Sequence, residues 1–143
     1  MAGRLITPDE LRRITDEKEM EKMREALEKK RKMDEERHHF HDTFMHQDVR
    51  PEVLERVSAL VRGAAERGER EVLALRFPSE YCTDGGRAIN SFEPNWPETL
   101  TGFAKRAMEF FDRELKPLGY HARAQIIDFP GGMPGDVGIF LRW

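Results

Sequence analysis

Residues 9–37 are dominated by Glu, Lys, Arg and Asp, and from Leu11 to about His39 the chain holds neither glycine nor proline. A stretch so charged cannot build a core, and with no helix breaker it predicts one long helix whose polar groups stay in water. Its start is marked. Thr7 can cap, Pro8 suits the first helical position, and Glu10 stands three residues after Thr7 as the partner in a capping box. Glu25 with Lys29 and Glu28 with Lys32 have the favourable i,i+4 order. At 1.5 Å per residue the helix would run about 45 Å. Leu11, Ile14, Met23 and Leu27 keep rough helical spacing, but Lys18 and Lys30 stand where a heptad seam needs apolar residues. The segment therefore reads as an arm that packs over part of its length, pairs with another chain, or remains a solvated and partly frayed helix.

Composition changes near residue 50, and residues 53–143 hold nearly all the aromatic and β-branched side chains. The chain thus divides into a charged helical arm, 1–49, and a compact α+β domain, 50–143. A net charge of −3 over 143 residues, with both signs interspersed, lacks the electrostatic footprint of a general nucleic-acid binder. Lys29-Lys30-Arg31-Lys32 is flanked by Glu25, Glu28, Asp34, Glu35 and Glu36, which cancel most of its field. No run is apolar and long enough to span a membrane, and the N-terminus lacks the apolar run of a signal peptide, so a cytoplasmic protein is expected. The single cysteine, Cys82, excludes an internal disulfide and the multi-cysteine zinc motifs.

Periodicity predicts a helix from about Pro51 to Arg67, with Val53, Leu54, Val57, Leu60, Val61 and Ala64 on one face and Gly68 as its stop. A strand over 71–77 ends at Pro78, and 79–97 reads as a long loop. A third helix is expected from near Asn95 to Lys116. Strands over 120–129 and 137–143 form a hairpin across the 130–136 loop. A long crossover suggests that the first two strands pair in parallel, giving a small three-stranded mixed sheet with helices on one face. Its edges and its second face invite pairing with another copy.

Two loops carry the residues most suited to chemistry. In Tyr81 to Asn90, the backbone N–H groups of Gly85 and Gly86 and the guanidinium of Arg87 can be presented to an anion, with Asp84 and Asn90 beside them in the same candidate ligand-binding set, although neither a Walker loop nor a dinucleotide fingerprint is present. Ordinary turn chemistry accounts for the same residues. In the second loop, Asp128 and Asp136 are paired carboxylates that can do acid–base work, bind a divalent cation, or simply bound a hairpin. Cys82 as nucleophile with His121 as base and Asp128 or Asp136 as orienter is weighed against an inert buried thiol. His38, His41 and Asp42, spaced i, i+3, i+4, can share one helical face as zinc or nickel ligands with His46 as a fourth, or stand as solvated side chains.

The stretch Leu75 to Ser79, Cys82-Thr83-Asp84-Gly85-Gly86-Arg87-Ala88-Ile89-Asn90, Trp96 to Leu100, Pro117-Leu118-Gly119-Tyr120, Asp128-Phe129-Pro130-Gly131-Gly132 and Trp143 resembles a group of uncharacterised small bacterial proteins over about half the chain. The order of helix, strand, helix, Gly-Tyr, hairpin and Trp also looks like small α+β proteins encoded by tailed phages. Neither group has an established activity, so the resemblance implies no catalytic residue and no cofactor. Two functions follow. One is a non-enzymatic interaction or assembly protein that engages a protein partner or another copy through the N-terminal helix and a sheet edge. The other is an anion- or small-molecule-binding protein, enzymatic or not, with its site between the 82–90 and 128–136 loops.

Overall fold

The computed structural model describes residues 3–143. Four α-helices and three strands are found among them: α1 (Pro8–His46), α2 (Val53–Glu66), β1 (Glu71–Pro78), α3 (Arg87–Asn90), α4 (Gly102–Phe110), β2 (His121–Ile126) and β3 (Asp136–Arg142). The chain forms two units, Met1–His41 and Asp42–Trp143.

In the first unit the capping box is made. The Glu10 N–H donates to Thr7 Oγ1 (3.2 Å) and the Thr7 N–H to Glu10 Oε2 (3.1 Å). Residues 11–41 are exposed throughout. Their helix is laced by its own ion pairs, Arg12 with Asp9 and Lys18 with Glu21. Glu28, which the spacing assigns to Lys32, pairs instead with Arg31, and Arg31 also takes Glu35. Such solvent-exposed pairs are screened by water and add only weakly to helix stability.

In the second unit α1 continues seven residues beyond the expected end near His39. Phe44 supplies the reason. It is the one buried side chain of the helix, and its ring lies 4.8 Å from Tyr81, 5.5 Å from Phe77 and 6.4 Å from Phe103. Arg106 then satisfies carbonyls at and just past the helix end, donating to Met45 O (2.9 Å) and Gln47 O (3.1 Å) while pairing with Asp48 (3.4 Å). Gly102 permits the approach of α4. At its φ of +52° side chains are strained, and a Cβ there would stand 2.8 Å from Phe44 O and 2.9 Å from Met45 Cα.

α2 starts and stops close to expectation. Gly68, at φ +81°, closes a Schellman turn in which the Glu69 N–H donates to Ala64 O and the Gly68 N–H to Ala65 O, both at 2.9 Å. Its buried stripe is narrower than its sequence suggests: Ala64 is buried, Val53, Val57 and Val61 are half-buried, and Leu54 and Leu60 are exposed. The expected third helix is divided. A 3₁₀ turn, Trp96–Thr99, is followed by extended Thr101 and then α4; a π-helical turn, Phe111–Leu115, continues it to the 3₁₀ turn Lys116–Leu118. Ala104, Met108, Phe110, Phe111 and Leu115 are buried along this path.

The α+β class and the three-stranded sheet are as expected, but the sheet is antiparallel rather than mixed. Its order is β1-β3-β2. β1 and β2 do run in the same direction, yet β3 lies between them and pairs antiparallel with both. The central place goes to the strand with the most apolar face, since a central strand buries more side-chain area than an edge. On the core face Val137 is flanked by Phe77 and Ile126, Ile139 by Leu75 and Ala124, and Leu141 by Val72 and Ala122. A bulge between Leu73 and Leu75 leaves Ala74 unpaired and turns both Val72 and Leu75 to that face.

Phe44→Ala is expected to lower stability by about 3–5 kcal/mol, because it empties an aromatic cluster. Gly102→Ala is expected to cost on the order of 2 kcal/mol from strain and collision with the α1 backbone. Denaturant unfolding of the full chain measures both, and an unfolding midpoint unchanged in either variant would contradict the docking described for residues 44–45.

Candidate functional site

The Tyr81–Asn90 loop is shaped by its own aspartate. Asp84 accepts the Gly86 N–H on Oδ1 (3.0 Å) and the Ala88 N–H on Oδ2 (2.9 Å). It thereby caps the single turn of α3 and consumes the backbone donors that an anion would need. Gly86 is a packing position. A Cβ there would meet Ser79 Cβ at 3.0 Å and Ile126 Cδ1 at 3.2 Å, and its φ of +88° is left-handed. Behind it Ala88 and Ile89 are buried, whereas Asp84, Gly85, Arg87 and Asn90 are exposed. No side-chain hydrogen bond or ion pair holds Arg87 or Asn90 among the described residues.

The second loop brings its carboxylates together. Asp128 Oδ1 accepts the Asp136 N–H, and Arg76 from β1 reaches both acids, donating from Nε to Asp136 Oδ2 at 2.7 Å and lying 3.5 Å from Asp128 Oδ2. The hydrogen bond from Arg76 to Asp136 is the main reason its guanidinium is held still more firmly protonated than usual. The loop backbone closes through Gly135 N–H to Asp128 O and Ile127 N–H to Asp136 O, both at 2.9 Å. A side chain at Gly135 would collide with the Asp128 carboxylate. The arrangement is an ion-paired clamp at the base of a hairpin, one guanidinium held between two carboxylates.

Both loops rest on Ser79, which is buried. Its N–H donates to Gly135 O (2.9 Å), its hydroxyl donates to Pro134 O (3.1 Å), and its Cβ abuts Gly86. Ser79 is a residue that turn-based reading of the sequence passes over, since its importance comes from a partner 55 residues away.

Cys82 is buried, and burial pushes its thiol up to about 11, with the Asp84 charge adding to the rise and the hydrogen bond with Thr99 opposing it. A nucleophilic cysteine requires the opposite shift. His121 is exposed, in register with Arg142 at the end of β2 remote from the hairpin loop. Among the described residues no group of three His, Cys, Asp or Glu side chains is placed to hold a metal ion. His38, His41 and Asp42 are exposed on α1, and Asp42 lies 3.4 Å from His46.

Unfilled space lies elsewhere. A cavity of about 100 Å³ sits among α2, α4 and the core face of the sheet, bounded by Val53, Val57, Phe103, Ala107, Ala122 and Leu141 among other apolar side chains. None of the seven loop residues singled out from the sequence lines it. Periodicity identifies the apolar faces that bound it, but the volume left between them depends on how three elements pack.

Asp84→Ala is expected to destabilise the protein by about 1–2 kcal/mol through loss of the cap, and Arg87→Ala to stay within about 0.5 kcal/mol of wild type. Paired denaturation curves test this contrast. Cys82 also sets a pH dependence. Its proton is bound more tightly in the folded chain, so its contribution is fully present below the ordinary thiol range near 9 and is lost as pH rises through about 11. Wild-type stability is therefore expected to fall across that alkaline window more steeply than that of Cys82→Ala, and identical pH slopes would contradict the buried thiol. Compared with family models, curated proteins and solved structures, the chain matches none, so its function has to be argued from its own residues.

Proposed function

We propose that this chain is a non-enzymatic assembly protein whose interaction element is helix α1 and whose partner is a second copy of α1. One observation carries the reading. Along a helix of 39 residues, Leu11, Ile14, Met20, Met23, Leu27, Met33 and Phe40 are all exposed, with Met23 and Leu27 each at 64%. Met20, Met23 and Leu27, spaced i, i+3 and i+7, share one face of the helix, whereas Leu11, Ile14, Met33 and Phe40 lie on the other side; covering such side chains against a second helix favours association. Acidic and basic residues alternate along the same helix, so like-sign repulsion does not keep two copies apart. Lys30, three residues after Leu27, ends the Met20–Leu27 stripe, and so short a stripe makes the pairing weak and reversible rather than a permanent coiled coil.

The loops support the non-enzymatic half of the reading. Their three aspartates are engaged within the fold, Asp84 by backbone N–H groups and Asp128 and Asp136 by Arg76, and the thiol is protonated at neutral pH. No helix among the described residues is long and apolar enough to cross a membrane.

Light scattering of the full chain over rising concentration is expected to show a mass climbing from 16.7 kDa towards twice that value. Met23→Glu combined with Leu27→Glu should hold the mass at the monomer value while circular dichroism retains the helix signal. A wild-type chain that stays monomeric at millimolar concentration would sink the proposal.

A further inference from the structure

The apolar cavity does not end at its own wall. Val53 and Phe103 line it and also line a neighbouring cleft whose other residues are Gln47, Asp48, Arg50, Glu52 and Arg56. The two spaces therefore lie side by side, with Val53 and Phe103 bordering both, one lined by apolar and the other by charged side chains. On the charged side Asp48 is occupied by Arg106 at 3.4 Å. Among the described residues Arg50, Arg56 and Glu52 form no ion pair, which leaves two cations against one acid. The same cleft is edged by the first turn of α2, which begins without a side-chain cap and whose dipole adds to the attraction for an anion.

We propose that this pair of spaces is a binding site for a short-chain carboxylate, its hydrocarbon tail in the cavity and its carboxylate in the cleft beside Arg50 and Arg56. Three properties select that class. The cavity offers no hydrogen-bonding side chain, so the group inside it is hydrocarbon. Its volume of about 100 Å³ suits a short hydrocarbon tail rather than a long acyl chain. The unpaired guanidiniums select an anionic head over a cationic one and suit the planar fork of a carboxylate. Access runs past the N-terminal half of α2, where Val53 and Val57 are only half-buried. The site is independent of α1 self-association and of both glycine-rich loops.

The test is a methyl-detected NMR titration of the full chain with three probes that share a four-carbon tail: pentanoate, butan-1-ol and butylamine. Pentanoate is expected to shift the Val53, Val57, Ala107 and Ala122 methyls saturably in the millimolar range, with butylamine at least about tenfold weaker. Replacing both Arg50 and Arg56 by Ala should weaken pentanoate by about tenfold and leave butan-1-ol unchanged. Ala107→Leu fills the cavity and should abolish the response to all three probes; Ala122→Val serves the same purpose if the leucine variant loses its native spectrum. The proposal is overturned if pentanoate leaves those methyls unmoved, if butylamine matches it, or if a folded cavity-filling variant still binds.

Discussion

The seating of one aromatic ring organises the second unit. Phe44 follows more than thirty residues of solvated helix, yet it touches side chains from β1, from the turn after it and from α4. The contact is possible because Gly102 carries no Cβ and lets the α4 backbone approach the last turn of α1, and because Arg106 covers the carbonyls left open where that helix ends. These features are interdependent. Without the glycine the backbones cannot approach so closely, without the arginine two carbonyls at the helix end lose their side-chain partner, and without the ring the last turns of α1 have no buried side chain. The path of α4 over the sheet, and with it the space beneath α2, follows from this single packing event.

The sheet answers a different constraint. Three strands can give only one of them two neighbours, and Val137, Ile139 and Leu141 make β3 the strand with most to bury. Once it is central, the β2–β3 hairpin and the return of β1 are both antiparallel, and the long connection through α3 and α4 spans a strand rather than joining a parallel neighbour. The bulge at Ala74 also has an edge-strand role. It breaks the regular ladder on β1, which makes that edge a poorer template for strand addition.

Local signals in the sequence were read well where the interaction is local. Thr7 with Glu10, Gly68 and the hairpin at 130–136 act through neighbours a few residues away, and they fold as their chemistry dictates. The α+β class follows from the order of helical and strand patterns along the chain, and the change in composition near residue 50 separates the charged arm from the part that holds the core. What the sequence hid depends on distant partners. Phe44 looks like one apolar residue in a polar helix until Phe77, Tyr81 and Phe103 are placed around it. Leu54 and Leu60 share the apolar face of α2 but lie at the margin of its contact with β1, so they remain in water. The strand order β1-β3-β2 is not encoded locally, because a crossover of that length is compatible with an adjacent or a skipped strand and the burial of β3 decides between them.

The same distinction bears on function. Glycine-rich segments with aspartate and arginine attract a functional reading, but here Asp84 binds its own loop and Asp128 and Asp136 bind Arg76, which rigidifies the backbone around Ser79. A polar group whose partners are supplied within the fold has little left to offer a ligand. Capacity for binding then lies where packing or pairing is incomplete: in the apolar side chains of α1 that the chain itself leaves in water, and in the unfilled volume under α2 with unpaired arginines at its mouth. α2 is suited to such a place. Of its 14 residues only Ala64 is buried, and an element held by so few contacts opens at lower cost than the sheet beneath it.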